Sequence, residues 1–110
     1  MPKYMVLGSY TSESWARMVE SPGDRSAIAR KACEDVGGNL EAFYWAFGPD
    51  DFVAIAELPD DASAAAVSVG VASSGALHKV HTVKLITMEE AQSLLAKTKS
   101  VAAGYRRPGT

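Results

Sequence analysis

Two neighbouring runs of apolar and aromatic residues, residues 40–47 (LEAFYWAF) and 52–58 (FVAIAEL), dominate the hydrophobic pattern of the chain. Aromatic and branched side chains suit strands, and Gly48, Pro49, Asp50 and Asp51 between the runs predict the turn that joins them. A short apolar run over residues 4–10 (YMVLGSY) predicts a first strand, and residues 77–86 a fourth. Helical spacing fills the gaps. Residues 12–20 place Trp15, Met18 and Val19 on one side. Ser21 then reads as an N-cap, with Pro22 at the first helical position and Asp24 near the positive helix end. The apolar stripe of that helix is Ile28, Ala29, Ala32, Cys33 and Val36, and Gly37 and Gly38 supply its left-handed stop. Asp60 or Asp61 caps an alanine-rich helix that ends near Ser73, Ser74 and Gly75. Thr87 and Glu90, at capping-box spacing, start a last helix with Met88, Ala91, Leu94 and Leu95 on its buried side.

The order β-α-β-β-α-β with a terminal helix is the split βαβ of ferredoxin-like α+β folds. Right-handed crossovers put both main helices on one face of a four-stranded antiparallel sheet and leave the other face bare. Antiparallel sheets open to water alternate apolar and polar residues. Here Leu40, Ala42, Tyr44 and Ala46 alternate with Phe43, Trp45 and Phe47, and Phe52, Ala54, Ala56 and Leu58 alternate with Val53 and Ile55. Both faces of both strands are therefore apolar. A bare apolar face of roughly several hundred Å2 is more than a soluble monomer usually exposes. Sheet-to-sheet packing with a second copy about a two-fold axis is the simplest cover, so the expected assembly is a homodimer or a larger dimer-based oligomer.

Composition narrows the class without naming a chemistry. At 110 residues the chain suits one domain, expected over residues 1–103, with a frayed basic tail at 104–110 (GYRRPGT). Apolar residues make up 47% and charged residues 22%, typical of soluble globular proteins. The net charge of −2 and the scattered basic residues carry no electrostatic footprint for nucleic acid. Apolar runs are broken well before about 18 residues, so no membrane span is expected. The first residues lead into a strand pattern rather than a signal peptide, and a lone Cys33 cannot form an internal disulfide, so the expected location is cytoplasmic.

Four segments in order, YMVLGSYT, the GG before LEAFYWAFG, DFVAIAELPDD, and TVKLIT ahead of an acidic helix start, carry a family resemblance. The chain resembles the GYD domain family across residues 4–95. That resemblance implies a small bacterial or archaeal protein of largely unassigned function, with a ferredoxin-like fold similar to the dimeric α/β barrels. The namesake glycine, tyrosine and aspartate correspond to Gly48, Asp50 and Asp51, so the tyrosine is missing. If that tyrosine carries a function, this chain lacks it. If the motif only makes a turn, Asp50 serves as well.

Candidate chemistry is sparse. His78 and His81 lie three apart in a strand, which directs them to opposite faces and argues against a shared metal. Either could act alone as an acid or base in a pocket. The pairs Asp50–Asp51 and Asp60–Asp61 sit where aspartate is favoured for turns and caps, and Cys33 lies within an apolar stripe as a structural thiol. Gly37 and Gly38 precede a strand, so they are no phosphate-binding fingerprint. The aromatic set Tyr10, Trp15, Tyr44 and Trp45 suits a pocket or a subunit interface, with His78, His81 and Lys84 as its candidate polar groups. No cofactor or metal is expected. Three functions follow: a small-molecule-binding or regulatory module without catalysis, a cofactor-free enzyme acting on a small aromatic substrate by analogy with dimeric α/β barrels, or a structural and protein-interaction module.

Overall fold

The computed structural model describes residues 1–110. Its elements run β1 (Lys3–Tyr10), α1 (Ser12–Glu20), α2 (Arg25–Asp35), β2 (Asn39–Trp45), β3 (Phe52–Glu57), α3 (Asp61–Ala72), β4 (Leu77–Leu85) and α4 (Met88–Gly104). The four strands form one antiparallel sheet in the order β2-β3-β1-β4, the ferredoxin-like arrangement expected from the sequence.

Register decides which side chains share a face. Tyr4, Val6 and Gly8 of β1 stand opposite Ala56, Ala54 and Phe52 of β3, on the side that helices α2 and α3 cover. There Tyr4, Cys33, Leu40, Ala54, Ala56, Leu58 and Ala64 form the buried core. Gly8 has a specific reason to lack a side chain. A Cβ there would stand 2.7 Å from the Phe52 ring and 2.9 Å from the Lys79 carbonyl oxygen. Gly37 supplies the left-handed stop after α2, with φ at 82°.

Strand β2 departs from simple alternation. Leu40 pairs with Ala56, yet Ala42 pairs with Ile55, so Glu41 is an extra residue in a β-bulge. A one-residue bulge exchanges the faces beyond it. Leu40, Phe43 and Trp45 therefore share the helix-covered side with Ala56, Ala54 and Phe52, whereas Ala42 and Tyr44 join Ile55 and Val53 on the open side. The apolar character expected on both faces of β2 comes from this switch. The open face still carries Met5 and Leu7 of β1, Val53 and Ile55 of β3, and Val83 and Leu85 of β4.

Helix starts also differ in detail. Asp24, not Ser21, caps α2, and its carboxylate accepts the Ser26 amide N–H at 2.9 Å. Starting three residues later keeps flexible Gly23 out of the helix and places a carboxylate at its positive end. Ser21 instead closes α1, donating its N–H to the Arg17 carbonyl at 2.8 Å. Asp60 caps α3 through the Ser63 amide, and Thr87 with Glu90 forms the capping box of α4.

Helix α4 is the main surprise. It makes no substantial packing contact with the rest of the chain, and none of its residues is buried. Met88 and Leu95, expected on a buried side, are 75% and 60% exposed. The radius of gyration is 17.7 Å, against about 13 Å for a compact domain of this length. The arm that accounts for the difference has its apolar side uncovered.

Candidate functional site

Three of the four candidate aromatics meet at one end of the sheet. Thr11 caps α1, and the Thr11 amide and the Ser14 hydroxyl both donate to the Ala76 carbonyl, at 3.1 and 2.8 Å. These bonds tie the first turn of α1 to the start of β4, and Trp15 lies on the next position. Its indole meets Tyr10 edge-on at 5.1 Å between ring centroids and Trp45 at 5.0 Å. Tyr10 in turn lies 5.4 Å from Phe52, and Phe52 stacks on Phe43 at 5.6 Å. The Trp45 indole N–H donates to the Tyr10 hydroxyl at 3.3 Å. The group is thus a continuous aromatic chain running from the core to the surface.

Asp51 organises it. One carboxylate oxygen accepts both the Tyr10 amide N–H at 2.9 Å and the Trp15 indole N–H at 3.3 Å. The Asp51 backbone N–H donates to the Gly8 carbonyl and its own carbonyl accepts the Ala46 N–H, both at 2.8 Å. The segment linking β2 and β3 is therefore held to the end of β1 by main chain and side chain together. In this chain the aspartate of the turn motif is a strut. Its neighbour Asp50 points the other way, with Oδ1 3.6 Å from the Lys79 Nζ and 3.9 Å from the His81 Nε2.

Beside this cluster opens a hollow of about 660 Å3 lined by Trp15, Trp45, Ala46, Phe47, Gly48 and Asp51. A smaller hollow of about 290 Å3 lies on the far side of the same indoles, against Met18, Val19 and Pro22. Trp15 and Trp45 form the ridge between them. Phe47 is fully exposed at the mouth, and Trp45 is 51% exposed although its indole is fixed from behind. Both indole N–H groups are already bonded, so the surface offers flat apolar faces rather than free donors.

The other candidates lie elsewhere. Tyr44 is exposed on the open face of the sheet because of the bulge. His81 is on that face too, opposite Leu7, and His78 is exposed where the β1–β4 register shifts. Lys84 stands opposite Tyr4 on the helix side, with its Nζ 3.1 Å from Asp61. The Tyr4 hydroxyl donates to the same Asp61 oxygen at 2.5 Å. That bond, with burial and the aspartate's charge behind it, pushes the Tyr4 phenol up to about 12. Asp61 is held below the usual carboxylate range by Tyr4 and Lys84. Burial pushes the Cys33 thiol up, as a core thiol requires. No three His, Cys, Asp or Glu side chains lie together in a metal-binding group.

Sequence reasoning did not single out Phe47 for the site or give Asp51 its bracing role. The exposed ring of Phe47 follows from the end of β2 at Trp45, two residues before the predicted end. The β1 amide that Asp51 satisfies lies 41 positions away in the chain, a long-range pairing no local pattern carries.

Comparison with known proteins agrees with the fold. The family model of the GYD domain matches residues 4–95. A curated Thermus thermophilus protein named "Glutamine synthetase and cystathionine beta-lyase binding protein" is 30% identical over 89 residues, which is 81% of this chain and 87% of that one. Among solved structures, TTHA0845 from Thermus thermophilus is similar with a TM-score of 0.54 at 19% identity, covering 79% of this chain and 95% of its own. At that identity the structural likeness speaks for the fold alone.

Proposed function

The chain belongs to the GYD domain family, and from that premise we propose a small homodimeric binding and regulatory module, without catalysis of its own, that docks a partner enzyme. The docking surface is the hollow between Trp15, Trp45 and Phe47. The observation that carries this reading is the combination of a fully exposed Phe47 with a half-exposed Trp45 whose indole is braced by Tyr10 and Trp15. Rigid aromatics beside a concave surface are the usual anchors of protein interfaces, because they contribute large apolar area at little cost in side-chain freedom. The Asp51 carboxylate supports a binding rather than a chemical role, since its hydrogen bonds go to positioning Tyr10 and Trp15. The name of the Thermus thermophilus relative supports an enzyme as the partner, with glutamine synthetase and cystathionine beta-lyase the first two to test.

Dimerisation through the open sheet face is part of the same proposal. That face has an apolar centre of Met5, Leu7, Val53, Ile55 and Val83 between two charged ends. At one end Lys3 pairs with Glu41 at 2.6 Å and Glu57 at 3.8 Å, and at the other Asp50 faces Lys79 and His81. Each end carries both signs, a pattern that a two-fold axis can make self-complementary. The uncovered apolar side of α4 adds surface for the second copy. Size-exclusion chromatography of the purified chain mixed with each purified enzyme from the same source tests the docking. Co-elution with either one supports it, and separate elution from both counts against it.

A further inference from the structure

A further pocket of about 230 Å3, partly open to solvent, lies between the sheet, α2 and the end of α3, apart from the surface hollows. Ile28 and Ala29 of α2, Phe43 and Phe52 of the sheet, and Leu77 at the start of β4 form most of its wall. The cavity exists because α2 presents Ala29 and Ala32 there, small side chains that leave space beside the stacked Phe43–Phe52 pair. The pocket reaches solvent beside the exposed Ile28, so its apolar wall is wet when no ligand is bound, and an apolar occupant gains by displacing that water.

Against this apolar wall stands one cation. Arg25, the first residue of α2, lines the cavity, and its Nε is shut off from solvent without a hydrogen-bond partner. Its guanidinium forms no ion pair with any carboxylate of the chain. The adjacent Asp24 is turned back onto Ser26 as the helix cap. A buried, unbonded donor on a permanent cation is unfavourable until an acceptor reaches it. The planar fork of guanidinium donors matches a carboxylate in two parallel bonds, and the positive end of α2 favours the same charge.

Size restricts the occupant. An apolar cavity of about 150 Å3 suffices for benzene, so this one has room for a ring or short chain together with an acid group. We infer that the cavity binds a small amphipathic monocarboxylate, an aryl or short alkyl acid, with Arg25 gripping the carboxylate and Phe43 and Phe52 holding the apolar body. This site is distinct from the docking surface at Trp15, Trp45 and Phe47, although Tyr10 lines the pocket and bonds the Trp45 indole.

The test is titration of the full-length protein with phenylacetate and, separately, with its neutral counterpart phenylacetamide. Calorimetry gives the affinities and amide NMR shifts give the location. The expected result is saturable phenylacetate binding, at least about tenfold tighter than the amide, with shifts centred on Ala29, Ala32 and Phe43. Arg25→Gln should bring the two affinities together while leaving the folded spectrum intact. Ala29→Leu should weaken both ligands by filling the cavity. Equal binding of acid and amide by the unsubstituted protein would overturn the proposal. So would discrimination that survives Arg25→Gln, shifts confined to another surface, or no binding of phenylacetate at millimolar concentration.

Discussion

The Asp51 carboxylate accepts the Trp15 indole N–H at 3.3 Å, joining the β2–β3 link to helix α1 across the end of the sheet. The same oxygen accepts the buried Tyr10 amide, so one side chain completes a strand end and aims an indole. Asp51→Ala leaves the Tyr10 N–H without its partner, and an unsatisfied buried donor costs about 1–3 kcal/mol. The variant should melt lower, and its tryptophan emission should shift to longer wavelength as Trp15 loosens. Asp51→Asn, which keeps an acceptor oxygen, should lose less on both readouts.

Gly8 and Phe52 form a second close relationship, with the ring lying where a Cβ would be. Gly8→Ala forces the ring or the β4 backbone to move, an overpacking change that typically costs about 1–3 kcal/mol. For a domain of this size each kcal/mol lowers the melting temperature by about 4–8 °C. Gly48, with open space around its Cα, should tolerate alanine with little change.

Asp61 links Tyr4 to Lys84 and makes the stability depend on pH in two windows. Its folded-state pKa is lowered, first by the Tyr4 hydroxyl and then by Lys84. That contribution is present above the unfolded carboxylate value of about 4 and is lost as pH falls through the folded value. Tyr4 behaves oppositely. Its pKa is raised to about 12, chiefly by the bond to Asp61, so its contribution is present below about pH 10 and is lost as pH rises toward 12. Tyr4→Phe should flatten both limbs, giving a smaller stability loss in acid and in strong base than the unsubstituted chain. Denaturant midpoints measured across pH would show it, and parallel curves for the two proteins would contradict it.

The open sheet face makes a separate prediction. Native mass spectrometry at low micromolar concentration should report a dimer or a higher even oligomer. Ile55→Asp places a charge at the centre of the face, where the side chain contributes nothing to the helix-covered core, and should yield folded monomer. A monomeric unsubstituted chain would contradict the dimer.

Element order, strand count and the covered face were all legible in the sequence, because each rests on local periodicity and caps. The apolar stripe ending at Gly37 and the Thr87–Glu90 box show where this works. What was not legible depends on long-range pairing. Alternation alone assigned Leu40 and Phe43 to opposite faces, and the bulge at Glu41, set by pairing to β3, brought them together. Alternation alone keeps Tyr44 and Trp45 on opposite faces, and the bulge decides that Trp45 is the one on the side of Phe52, so only three of the four aromatics share the site. Apolar spacing on α4 was visible too, but spacing says that a side needs cover, not that the cover lies within the same chain.

The central claim is that Trp45 and Phe47 anchor a partner protein. Calorimetric titration of the proposed partner enzymes with the unsubstituted chain, Trp45→Ala and Phe47→Ala tests it most directly. Truncating an interface anchor typically costs about 2 kcal/mol or more, close to a thirtyfold loss of affinity. The account predicts saturable binding to at least one enzyme and a loss of that order in both variants, with their folded spectra retained. Binding that neither substitution weakens, or no binding to either enzyme, would contradict it.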